Sequence, residues 1–467
     1  MERGMPAGGP GGPVTSQAPP FTVPMRYMLL GMAGFVLFAF DLVAQSIHLS
    51  GGGAFLPQVV ALTHLLTLGS LLSFIMGAVY QLVTVAFLVP IASERCARWN
   101  FWLYAASAFG LIGSMAIWSL TGLLVFGSLA TVSLYVYAIL IIVSVSRSRI
   151  RGPMLWFVIS AHVYLMAAVA AAWLMIASIS GLRLGGVFPQ LLATHILLAL
   201  GGFFTFLVMG FSFKLLPMFT LSHGFATWRQ KWTWVLAHAA VCLALIGIWA
   251  QRPALEWAGG VAGWMAFASL LFDIREIFRK RLRKKTEPPT RMVVVAAVAG
   301  MAGVLWMLVQ LGSGREQDGW QGVVTFYLLG WVVLTLMGYA YKIVPFLIWT
   351  QRYSAKAGRN AGAGDRPGPG MRAHTAGSAP DAVTASPPVK PQKVPVIADL
   401  IQLGRSRPVL QSFAIGVMVL SFSGVARFTA GAVAGSIMIA LSVLGFIWQL
   451  QRVVDPKQVA KELRGHD

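Results

Sequence analysis

The chain has 467 residues, 57% of them hydrophobic and only 11% charged, with a formal net charge of +21. A soluble domain carries roughly 25% charged residues, so the composition excludes an ordinary soluble enzyme. Lys and Arg cluster in short loops beside apolar runs, as cytoplasmic loops do, which excludes nucleic acid as the partner.

Apolar stretches of about 20 residues, enough to cross a bilayer, recur along the whole length. Short alternating segments of the kind that build a barrel are not seen. The expected fold is an all-α polytopic membrane protein with the lipid bilayer as its first partner. Residues 1–23 lack an apolar signal-peptide core and are expected to be a disordered cytoplasmic tail.

Twelve spans are predicted. The first covers about Pro24–Ser46 and the second Phe55–Pro90. The run Trp99–Ser146 holds the third and fourth, turning near Ser119–Gly122. The fifth and sixth follow at Leu155–Ser180 and Phe188–Leu221, the seventh and eighth at Trp232–Ala250 and Ala254–Phe278. The ninth and tenth are Met292–Leu311 and Gly322–Trp349. Ten spans therefore occupy residues 24–352. Residues 353–394, rich in Ala, Gly and Pro, are expected to be a disordered cytoplasmic linker. Residues 395–452 hold the last two spans, and 453–467 form a cytoplasmic tail.

The basic loops set orientation. Arg147, Arg149 and Arg151, then Arg229 and Lys231, then Arg279 to Lys285 fall on one side, while loops on the other side are short and poor in charge. Both termini are thus expected in the cytoplasm, with the protein in the inner (plasma) membrane. Cys96 and Cys242 form no CxxC pair, so neither a disulfide framework nor a zinc site is indicated.

An internal repeat organises the chain. Gly69, Gly77, Tyr80, Gln81, Leu82 and Val83 return as Gly202, Gly210, Phe213, Lys214, Leu215 and Leu216, and again as Gly330, Gly338, Tyr341, Lys342, Ile343 and Val344. The glycines are eight apart in every copy, and the copies start 133 and then 128 residues apart. Twelve spans in three copies make three pseudo-equivalent groups of four, with the signature on the second, sixth and tenth helices. Its glycines allow close helix approach; Lys214 and Lys342 suit interface anchors.

Twelve helices in this plan resemble the catalytic subunit I of heme–copper oxidases, closest in motif to C-type oxidase and nitric oxide reductase subunits. Those carry a His, Gly-Trp, Gly-Ala-x-Tyr-x-Leu-Ile/Val-Pro signature on the tenth helix. His64, Gly69, Gly77, Ala78, Tyr80, Leu82 and Val83 match it on the second helix, and Gly330, Trp331, Gly338, Tyr341, Ile343, Val344 and Pro345 on the tenth. The resemblance implies His64 as a heme ligand, His195 as a heme or copper ligand, and His238 as a copper partner. It fails at Thr325, where the tenth helix should offer a heme-binding histidine.

Four histidines lie within spans (His64, His162, His195, His238), whereas an oxygen reductase of this kind needs six. The ligand set is therefore incomplete. The resemblance implies a b-type heme, with copper disfavoured, and a role in respiration or nitric oxide response. A quinol or cytochrome is the implied electron donor, with membrane protein partners also expected. The rival reading is a cofactor-free transporter, metal-handling or assembly protein on the same scaffold. His64 precedes its glycine by five residues and His195 by seven. That offset of two is about 200° of helix rotation, so the rings should leave opposite sides of equivalent helices, as two separate sites or as one ligand and one structural histidine. Asp41, inside the first span, is a candidate proton-path group. His48 and His223 lie near loops.

Overall fold

The computed structural model describes residues 19–50, 52–181, 186–313, 316–364 and 399–454, and among these there are helices and no strands. We label the long helices α1 Thr22–Ala44, α2 Pro57–Phe87, α3 Glu94–Ala116, α4 Leu120–Ser146, α5 Pro153–Ile179 and α6 Phe188–Thr220. They continue as α7 Trp228–Ala250, α8 Pro253–Arg279 and α9 Pro288–Ser313. The tenth, α10, is built of Glu316–Tyr327, Leu328–Val333 and Leu334–Gly364, followed by α11 Ser406–Ala426 and α12 Thr429–Val454. Among the described residues, eleven helices are long and apolar enough to cross a membrane. The remaining one, α3, is 23 residues long but opens on Glu94, Arg95 and Arg98.

Local chemistry sets the ends. Ser93 and Ser119 cap α3 and α4 by accepting from the backbone N–H groups of Cys96 and Gly122, each at 3.2 Å, which satisfies donors that helix starts leave open. Proline occupies the first turn of α2, α5, α6 and α8, where its missing N–H costs nothing. α2 and α6 end on Leu88 and Leu221 in the left-handed conformation, φ 53° and 54°. These positions match in the repeat, each eleven residues after its second glycine. The third copy departs from this: α10 runs on to Gly364. The helix thus enters the segment expected to be a linker from residue 353. Helix likewise reaches into the expected terminal tails at Thr22–Val23 and Val453–Val454; residues 365–394, 1–18 and 455–467 lie outside the described residues.

Consecutive helices pack on one another, and α1 packs on α12, closing the bundle. Phe35 and Phe446 meet edge to face across that seam, centroids 6.4 Å apart. The second glycine of each repeat copy packs its helix on the one before it. A Cβ on Gly77 would stand 2.8 Å from Met28 Cγ; on Gly210, 2.6 Å from Phe157 Cβ; on Gly338, 2.8 Å from Val293 Cγ2. The contacts fall on α1, α5 and α9 in turn, so the glycines serve helix approach in all three copies. Gly210→Ala is expected to cost about 1–3 kcal/mol by overpacking, read as a lower melting temperature in detergent.

The basic ends of the helices are also tied in a recurring way. Ser148 Oγ, just past α4, donates to Phe87 O at the end of α2 (2.7 Å). Ser222 Oγ, just past α6, donates to Ile277 O near the end of α8 (2.8 Å). Arg352 in α10 donates to Val454 O at the end of α12 (2.5 Å).

Between α7 and α8, Arg229 Nε holds Asp273 at 2.9 Å and its Nη2 holds Glu276. Asp273 is 1% exposed, and a buried carboxylate without its cation is expensive. Arg229→Ala is expected to destabilise the chain by about 2–3 kcal/mol, the range for stranding a buried charged acceptor. Lysine at 229 should recover part of this loss, because it restores the charge without the fork of donors.

Candidate functional site

His64 and His195 meet in one place. Each sits seven residues from the start of its helix, His64 from Pro57 in α2 and His195 from Phe188 in α6. At 1.5 Å per residue both lie about 10 Å along their helices. Their ring centroids are 6.2 Å apart and their planes are inclined by only 10°. Both rings are half-buried.

Both rings are held through Nδ1. His64 Nδ1 bonds Val60 O, one turn back on its own helix, at 2.8 Å. His195 Nδ1 bonds Ala168 O, on α5, at 2.9 Å. A carbonyl only accepts, so in each neutral ring the proton is on Nδ1 and Nε2 keeps its lone pair. Among the described residues neither Nε2 has a hydrogen-bond partner. Two imidazoles oriented by carbonyls, each with a free Nε2, are what a metal or heme iron requires.

The expectation of two separate sites is therefore overturned. The two rings stand 6.2 Å apart although their positions in the repeat differ by two residues, because α2 and α6 occupy different places around the bundle.

A feature missed by sequence reasoning lies directly after each histidine. Leu65–Leu72 in α2 and Leu197–Phe204 in α6 are π-helical, as is Leu328–Val333 in α10. Each segment contains the first glycine of its repeat copy, and such widened turns are frequent at functional sites. Their carbonyls are taken up by hydroxyls five residues on: Ser70 Oγ to Leu65 O (2.9 Å), Ser73 Oγ to Leu68 O (2.9 Å) and Thr205 Oγ1 to Leu200 O (2.7 Å). Small hydroxyls following the repeat glycine were the available signal.

The surroundings of the pair are not one continuous core. Ala61, Leu111, Met115, Leu123, Ala130 and Ile176, from α2 to α5, form a hydrophobic cluster separate from the main one. Ala61 is one turn from His64. In the third copy the corresponding region is closed by aromatic side chains. Trp331 Nε1 donates to Thr205 Oγ1 (3.3 Å), which also bonds Tyr327 Oη (2.6 Å), and Phe267 packs edge to face on Trp331.

The other sequence candidates go elsewhere. Tyr164 Oη bonds His238 Nδ1 at 2.5 Å, and Ser160 Oγ lies 3.0 Å from its Nε2. Both ring nitrogens are thus engaged with α5, and His195 is paired with His64 instead. His162 is fully buried, with Nδ1 on Val158 O at 2.7 Å. Asp41 accepts from Gln45, one turn along the same helix, at 3.1 Å. Lys342 forms an ion pair with Glu287 rather than reaching headgroups, while Lys214 is exposed. Among the described residues no group of three or more His, Cys, Asp and Glu side chains is placed to hold a metal ion. No protein-family model matches the chain, and no curated protein matches it at a significant level.

Proposed function

We propose that this chain is a divergent heme–copper oxidase subunit I-like protein that holds one b-type heme between His64 and His195 and carries electrons in a respiratory membrane. In this reading α3 is the twelfth span, its charges lying at the basic end, and the helices form three groups of four. The recurring glycine contacts, helix-end ties and π-helical segments support that grouping. The basic loops support cytoplasmic termini in a plasma membrane.

The observation that carries the reading is the spacing of the two rings. With a metal–imidazole bond of about 2.0–2.1 Å (the zinc value serves as guide), and a ring centroid about 1.1 Å behind its nitrogen, two axial imidazoles have centroids about 6.2–6.4 Å apart. The pair stands at 6.2 Å with near-parallel planes. A bound b-type heme supplies reversible one-electron chemistry at iron.

His64 and His195 would hold the heme. Val60 O and Ala168 O hold the Nδ1 protons and so keep both Nε2 atoms basic. A heme held by both side chains would supply electron transfer rather than gas binding. Reduction of oxygen needs an open heme and a copper with its own histidines. His238, the other copper candidate, is hydrogen-bonded through both ring nitrogens.

A pyridine-hemochrome spectrum and metal analysis of detergent-purified chain test this. One heme b per chain, with a low-spin spectrum, is expected. Heme-free protein from heme-replete cells would overturn it and leave the transporter, metal-handling or assembly reading.

A further inference from the structure

A second cluster of polar groups lies in the basic half of the bundle, away from the histidine pair. Tyr137 Oη and His162 Nε2 are buried and have no hydrogen-bond partner among the described residues, while Tyr80 Oη and Asn100 Nδ2 make no well-aligned bond and have the Tyr27 hydroxyl beside them. All four side chains are at least nine-tenths buried, Asn100 being 4% exposed and the others 0%. They belong to α2, α4, α3 and α5.

These groups are neighbours. The Tyr80 and Tyr137 rings are 5.6 Å apart, and Tyr137 and His162 are 5.3 Å apart. Asn100 Oδ1 accepts from Ser133 Oγ at 3.0 Å, one turn before Tyr137 on α4. Tyr80 is seven residues from the end of α2, Tyr137 nine from the end of α4, and His162 nine from the start of α5. At helical rise that is a common depth of about 10–14 Å from the basic end.

The chemistry of the free atoms is complementary. His162 Nδ1 donates to Val158 O, so its Nε2 offers a lone pair. The amide of Asn100 offers hydrogens, and the two phenols do both. Native interiors rarely leave such groups unmet, and buried water, making two to four bonds, is the usual remedy. We infer that Tyr80, Tyr137, Asn100 and His162 bind a cluster of ordered water molecules inside the bundle. The waters join four helices through hydrogen bonds and form a chain of phenol, water and imidazole.

Radiolytic hydroxyl labelling of the full chain, read by mass spectrometry, tests the cluster, because radicals form from water held at the site. Tyr341 is the control: it is equally buried, and its hydroxyl is bonded to Gln449 at 2.9 Å. Tyr80 and Tyr137 are expected to label several-fold faster than Tyr341. Tyr137→Phe is expected to lower the melting temperature, since it removes a hydroxyl that water satisfies. Labelling of Tyr80 and Tyr137 at the Tyr341 rate overturns the inference. So does a rise in melting temperature of Tyr137→Phe, which is the result for a hydroxyl that has no partner at all.

Discussion

In His195→Ala and in His64→Ala protein, the low-spin heme spectrum should disappear. Each substitution removes one of the two Nε2 atoms that have no hydrogen-bond partner among the described residues. The remaining imidazole keeps its own anchor, Val60 O for His64 and Ala168 O for His195. A five-coordinate heme is then expected, held more weakly and newly able to bind carbon monoxide, with a shifted Soret band. Heme retention should fall by more than the about 10–100-fold that a metal site loses when one orienting partner is removed. The double variant should carry none. His238→Ala should leave the heme spectrum unchanged, because that ring is spoken for by Tyr164 and Ser160. An unaltered spectrum in both single variants of the pair would place any heme elsewhere in the chain.

Gly34→Leu should be the most damaging change to the scaffold itself. A Cβ on Gly34 would meet the backbone of Gly69, its carbonyl first and then Ser70 N at 3.0 Å. Those atoms belong to the π-helical segment that follows His64. Backbone cannot swing aside as a side chain does, so α1 must move away from α2. Because α1 also packs on α12, that movement opens the seam where the bundle closes. Gly34→Ala is expected at or above the upper end of the about 1–3 kcal/mol for overpacking. Leucine should prevent recovery of a single monodisperse species on size-exclusion chromatography. Heme content of the Ala variant should fall with it, since His64 immediately precedes that segment. Gly113→Ala is the control: a Cβ there meets nothing within 4 Å. Gly113 lies in the last turn of α3, so alanine there should stabilise by at most about 0.5–1 kcal/mol, the mid-helix value. Equal behaviour of the two variants would show that the Gly34 contact does not limit packing.

Much of this architecture is legible in one dimension. Runs of apolar residues long enough to cross a bilayer, interrupted by basic loops, leave the helical membrane class as the physical option, because backbone polar groups in lipid must be satisfied within the segment. The repeat at Gly69, Gly202 and Gly330 is visible as spacing, and its meaning as close helix packing follows from residue size. Histidines inside apolar spans stand out as costly, and His64 and His195 are identifiable on that ground.

Which histidines share a site is a different matter. Spacing along α2 and α6 yields the direction of each ring about its own helix axis. Whether two directions converge depends on where the axes stand around the bundle. That arrangement is set by α1 closing on α12 and by side-chain volume at every interface. The π-helical turns are likewise a tertiary outcome, since their widened hydrogen bonds persist only where hydroxyls and neighbouring helices take up the freed carbonyls. Composition and periodicity therefore determine that this is a bundle of membrane helices carrying buried histidines. Only the packing of those helices against one another brings His64 to His195 and commits His238 to Tyr164, because contacts between residues 131 and 74 positions apart have no signature in local sequence.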